Sequence, residues 1–197
     1  MADLDLKPFD IVTYKAVKGK EKSSFYRFIR SIAGKDNVDE ANAPVHTGLI
    51  VPINGVNKMV EMKFKDGLIA NPVNLEKERF IGVTRLDLTE KEKKRIAKDV
   101  KGDLKRGVKY SKGTMAPAYL YKKDNKKKLD DAICSEYVAR KIDTNSQYKS
   151  KQLWHRVTPA DMAKDRSFIS PKGEAGVYIE RSRLVKKAEM AAMMLRY

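Results

Sequence analysis

The sequence predicts an α+β fold, and three observations carry that prediction. Strand-like and helix-like periodicities both occur along the chain. The clearest pair of strands is joined by a tight Asn-Gly turn. Strands and helices do not alternate strictly, as parallel βαβ units would require. The 197 residues suit one substantial core, and no Pro/Gly/Ser-rich linker divides them. The expectation is a single domain over residues 1–197, an antiparallel sheet or small barrel packed against helices, with a C-terminal helical extension from about residue 181.

The elements follow in order. KPFDIVTYK (7–15) reads as an opening strand entered through a proline turn. In SSFYRFIRSIAGK (23–35), Phe25, Phe28, Ile29 and Ile32 share a helical face, Ser23 or Ser24 supplies a cap and Gly34 ends the run. A polar loop leads to VHTGLIVPINGVNKMVEMKF (45–64), two β-rich runs around Asn54-Gly55. RFIGVTRLDL (79–88) is a further strand. Thr89 and Glu92 form a capping-box pattern ahead of a helix that reaches about Arg106, with Ile96, Val100 and Leu104 on its inner face. GVKYSKGTMAPAYLYKKDNKKKL (107–129) is irregular and lysine-rich. Then come a helix around Cys134, a turn and short helix in WHRVTPADMAKD (154–165), a strand in AGVYIERSRL (175–184), and a Met- and Ala-rich packing helix at the C-terminus.

Composition narrows the function classes. No apolar run approaches the roughly 18 residues that span a bilayer, and MADLDLKPFD lacks the features of a secretory signal, so the expected location is cytoplasmic. One cysteine excludes an internal disulfide framework, and one cysteine with two histidines cannot build a closed structural zinc site. Forty-two Lys and Arg against 26 Asp and Glu give a net charge of +16, a field that attracts polyanions. Lys94, Lys98, Lys101 and Lys105 line one helix side. That side reads as solvated, because no aromatics interleave with the lysines to stack on bases.

The candidate chemistry centres on Cys134. If Asp130 or Asp131 caps its helix, the sulfur lies in the first turn, where exposed amides and the macrodipole favour a thiolate. The same position also suits a small buried hydrophobe. A thiol nucleophile wants an imidazole, and the chain offers His46 and His155. With Asn54-Gly55 as the turn, Gly48 falls opposite Glu61, and His46 meets Glu61 across a diagonal of roughly 5 to 8 Å. The spacing fits a carboxylate that orients an imidazole, and equally a His–Glu pair on a solvated sheet face. His155, beside Trp154, reads as a surface or capping group. Asp161 reads as an early-turn carboxylate of a short helix. Glu136 faces differently from Cys134 and reads as structural.

VHTGLIV, MVEM, ICSEYVARKI and VTPADM, in that order, resemble the circularly permuted branch of NlpC-type papain-like cysteine hydrolases. These YiiX- and YebB-like proteins are related to the lecithin:retinol acyltransferase group. The resemblance runs from about residue 7 to 170. It departs from the pattern at Phe9, where a glycine usually precedes Asp-Ile-Val, at Ser111, where an aspartate usually follows the aromatic Tyr110, and in the long basic lead-in to Cys134. It implies a papain-like domain with Cys134 as nucleophile, His46 as base and acid, and Glu61 as the group that orients His46. It further implies an amide or ester substrate (peptidoglycan-type peptides, lipid acyl groups and isopeptides among them) and no cofactor. A wall role would need action from within, or delivery by a vehicle such as a phage particle. The alternative is a basic module without chemistry that binds nucleic acid or an anionic membrane.

Overall fold

Alternation of apolar residues and one tight turn set the centre of the architecture. A computed structural model describes residues 5–16, 44–73, 79–111, 131–164, 167–181 and 184. The predicted helix at 23–35, the lysine-rich stretch from 112 to 130 and most of the C-terminal extension lie outside the described residues. The strands β1 (Ile11–Lys15), β2 (Pro44–Ile53), β3 (Val56–Lys63), β4 (Gly67–Pro72) and β5 (Phe80–Arg85) precede the helix α1 (Glu90–Arg106). Two short strands follow, β6 (Lys109–Tyr110) and β7 (Asp131–Ala132), and then α2 (Cys134–Asn145). After β8 (Lys149–Ser150) and a 3-10 turn (Trp154–Arg156) come α3 (Pro159–Met162), β9 (Phe168–Ile169) and β10 (Val177–Glu180).

Among the described residues the main sheet is six-stranded and antiparallel, in the order β10-β5-β1-β2-β3-β4. This is the expected α+β class. Asn54 and Gly55 both take positive φ, 53° and 78°, as a two-residue hairpin turn of the twist-matching kind requires. The strand β4 was not anticipated. Its sequence GLIANP is short and ends in proline, which gives no clear alternation to read.

The pleat divides the core. Ile11, Leu49, Val51, Val60 and Met62 join Ile96 and Val100 of α1 and Tyr137, Val138 and Ile142 of α2 in one cluster. Val12, Tyr14, Ile50, Met59, Phe80 and Val83 pack with Leu184 in a second. Each fully buried aliphatic side chain contributes about 1.5–3 kcal/mol, so Ile96→Ala alone would loosen α1 from the sheet.

Helix α1 starts at the predicted capping box. The Thr89 amide donates to Glu92 Oε2 at 2.8 Å, the Glu92 amide returns to Thr89 Oγ1, and Gly107 ends the helix at φ 68°. The same Glu92 carboxylate also accepts the Gln147 amide, which ties the start of α1 to the segment after α2. An ion cluster joins the two helices. Lys141 of α2 is 3% exposed and sits between Asp99, at 2.8 Å, and Asp103, while Arg106 also reaches Asp103. At the start of β1, Phe9 adopts φ 70°. Glycine adopts that conformation without strain, whereas an L side chain does not.

Candidate active site

The site is assembled where the β2–β3 ladder stops. The last paired residues are Gly48 and Glu61, the register read from the sequence. His46, two residues back along β2, lies on the same face as Glu61, and its Nε2 is 2.8 Å from Glu61 Oε2. Both side chains are largely enclosed, 19% and 12% exposed. With Nε2 engaged by the carboxylate, Nδ1 is the ring nitrogen left for another partner.

That partner is Cys134, which shares a side-chain hydrogen bond with His46. Parallel pairing of β6 with β7, extended by the Ser111 amide on the Ala132 carbonyl at 3.0 Å, sets the chain just ahead of the cysteine. Ser135 Oγ donates to the Val157 carbonyl at 2.6 Å and holds the first turn of α2 against the segment that leads into α3. The expected aspartate cap is not how this helix begins. Asp131 belongs to β7, Ile133 is the N-cap without a side-chain hydrogen bond, and Cys134 is the first helical residue. Cys134 thus lies in the first turn, where the helix dipole favours an anion.

The sulfur receives two of the nearby amides, those of Thr47 and Ser135. The Thr47 amide follows from the register. The Ile50 amide bonds the Asp10 carbonyl, so even-numbered amides of β2 turn toward β1 and odd-numbered ones toward β3. Thr47 lies one residue past the last β2–β3 pair, where its amide meets sulfur instead of a strand.

The electrostatics are reciprocal. Burial pushes the Cys134 thiol up, but the His46 charge and hydrogen bond, with the two amides, outweigh it and hold the thiol below its ordinary value. Burial likewise opposes a charged His46. The Cys134 charge and hydrogen bond, then those of Glu61, overcome it and raise the imidazolium to about 9. Glu61 is depressed: burial works against its charge, while His46 and then Lys63 favour it. The arrangement favours a thiolate–imidazolium pair backed by a carboxylate.

The other singled-out residues fall as follows. Tyr110 is buried, and its hydroxyl is pushed up by burial and by the Cys134 charge. Trp154 packs in the core with Arg140 over its ring at 5.4 Å, and His155 belongs to the same 3-10 turn. Asp161 closes a capping box with Thr158 at the start of α3. Glu136 is buried within α2, and Lys94, Lys98, Lys101 and Lys105 are exposed along α1. Sequence reasoning missed Lys63 and Asn71, both of which reach Glu61. Strand parity alone points to Lys63, whereas Asn71 required β4. Among the described residues, no group of three or more His, Cys, Asp or Glu is placed to hold a metal ion.

No family model matches the chain, and no curated protein matches it. Among solved structures it is similar to one described as the metalloprotein YiiX from Escherichia coli O157:H7, at a TM-score of 0.44 and 17% identity. The match covers 70% of this chain and 66% of that one, so the chain spans just under two-thirds of that protein's length.

Proposed function

We propose that this protein is a thiol-dependent acyl-transfer enzyme, a hydrolase of amide or ester bonds, in a permuted NlpC-type papain-like domain. The observation that carries the reading is the unbroken line from Cys134 through His46 to Glu61, with 2.8 Å between Nε2 and Oε2. In this scheme the Cys134 thiolate attacks the substrate carbonyl carbon while His46 holds the proton. The first-turn amides of α2 face the oxygen that gains charge. His46 then gives its proton to the leaving amine or alcohol, and the acyl group stays on sulfur as a thioester. Water, losing a proton to His46, attacks the thioester carbonyl; the carbon–sulfur bond breaks, the carboxylic acid leaves and the thiolate–imidazolium pair is restored. Glu61 fixes the ring and balances its charge throughout.

The test is the shape of the pH profile for iodoacetamide labelling of Cys134, in the native chain and in His46→Ala. Shape matters more than rate, because the sulfur is only 3% exposed. An ordinary thiol has a pKa of about 8.5. The native profile should remain flat well below that and revert in His46→Ala. Ordinary thiol behaviour in both proteins removes the ion pair. Hydrolysis of amide or ester substrates should be lost in both Cys134→Ser and His46→Ala.

One observation favours a second reading, polyanion binding. The exposed lysine row on α1 belongs to a chain of net charge +16. DNA binding that weakens with salt, persists in Cys134→Ser and comes with no thiol-dependent turnover would favour it over catalysis.

A further inference from the structure

Glu61 presents two oxygens, and different groups hold them. Oε2 is on His46 at 2.8 Å; Oε1 is 3.4 Å from Lys63 Nζ and accepts from Asn71 Nδ2 at 3.4 Å. Strand parity explains the grouping. Gly48 pairs with Glu61, Glu61 with Ile69 and Met59 with Asn71, so His46, Glu61, Lys63 and Asn71 share one face across three strands. Had the β2–β3 ladder continued, Lys63 would have stood opposite His46. The Lys63 ammonium lies along its own strand, 3.4 Å from the Glu61 carboxylate. A cleft of about 330 Å³ opens on this face, lined by these residues with Tyr14, Met59, Pro72 and Arg79.

We propose that Lys63 acts on the site through Glu61: its ammonium, 3.4 Å from Oε1, sets by its charge the pH range over which the Cys134–His46 pair persists. The inference rests on the catalytic reading above. A cation beside Glu61 favours the deprotonated form of every group around it, so its removal moves their titrations upward. Among the described residues, the charged and titratable groups facing Glu61 are His46 from β2, Lys63 from β3, and Tyr14 and Arg79 across the cleft, with Cys134 beyond the imidazole.

Two histidines make the experiment simple. Ring signals of the full chain are followed by NMR against pH, with His46 assigned by the loss of its signal in His46→Gln. Cys134 labelling is followed in parallel. Lys63→Met should raise the His46 titration by about half a unit and move the labelling profile the same way, while Lys63→Arg should match the native chain. Lys63 is 45% exposed, and unchanged cooperative thermal unfolding of each variant checks the fold. A Lys63→Met titration at the native value, or an equal displacement in Lys63→Arg, overturns the role of Lys63. Glu61→Gln in the same series separates the two readings. If it lowers the His46 titration while Lys63→Met does nothing, only the lysine's role fails. If neither Glu61→Gln nor Cys134→Ala moves His46, the catalytic line itself is wrong and the role of Lys63 falls with it.

Discussion

Gly48 stands opposite Glu61 in the β2–β3 ladder, and a Cβ added there would lie 2.7 Å from the Met59 sulfur, 3.2 Å from the Val60 carbonyl oxygen and 3.4 Å from the Glu61 Cβ. Met59 can give way, but the backbone oxygen cannot easily. Gly48→Ala is therefore expected to cost about 1–3 kcal/mol by overpacking, read from urea unfolding, and to lower the His46 titration as the carboxylate is displaced. Native stability in this variant would show that the space beside Glu61 is not under constraint.

The carboxylate makes a pH-dependent contribution whose sign is fixed. Glu61 titrates below its ordinary 4.5 in the folded chain, so its contribution is fully present above that value and fades as pH falls through the lower folded one. The stability difference between the native chain and Glu61→Gln should be larger at pH 7 than at pH 4. The sign reverses for His46. Its pKa is raised from 6.5 to about 9, so its share is complete below 6.5 and is lost as pH rises through about 9. Equal differences at both acid and neutral pH would contradict the Glu61 assignment.

The ion cluster between the helices makes a separate prediction. Lys141 is 3% exposed and faces Asp103, which is fully buried. Lys141→Met leaves that carboxylate with Arg106 alone, so the loss should approach but not reach the about 3–5 kcal/mol of a buried charge left wholly uncompensated. Chemical unfolding should show the loss, whereas the His46 titration should stay near its native value because the cluster lies on the helices, not at the ladder's end. A cost under about 1 kcal/mol would mean that the pair behaves like a solvated one.

At Phe9 two effects oppose one another. Glycine would relieve a left-handed conformation that costs an L-residue about 1–2 kcal/mol. It would also remove a buried ring from the core, a loss of about 3–5 kcal/mol. Burial wins, so Phe9→Gly should destabilise the chain by about 2 kcal/mol in net terms, measured as a lower urea midpoint. A stabilised variant would show that strain outweighs packing at this turn.

Much of this site was legible before any coordinates. Asn54-Gly55 fixed the hairpin register, and the register alone put His46 and Glu61 on one face. Thr89 and Glu92 marked the start of α1. The missed parts share a physical reason: they depend on partners remote in sequence. Asp131 looked like a cap, but it belongs to β7, where its backbone pairs with Lys109 of β6. Lys141 drew no reading from its own helix; its role depends on α1 bringing Asp99 and Asp103 to it. Asn71 had no reason to reach Glu61 until β4 was seen to pair with β3.

The end of the β2–β3 ladder leaves a seam in the sheet, and the Cys134 sulfur stitches it by accepting the Thr47 amide where a strand carbonyl would otherwise sit. If the proposed function holds, one atom serves chemistry and architecture together. Alanine at position 134 would orphan that enclosed amide, at a cost of about 1–3 kcal/mol, whereas serine keeps an acceptor in place. Of the two silenced proteins, only the serine form separates lost reactivity from an opened seam.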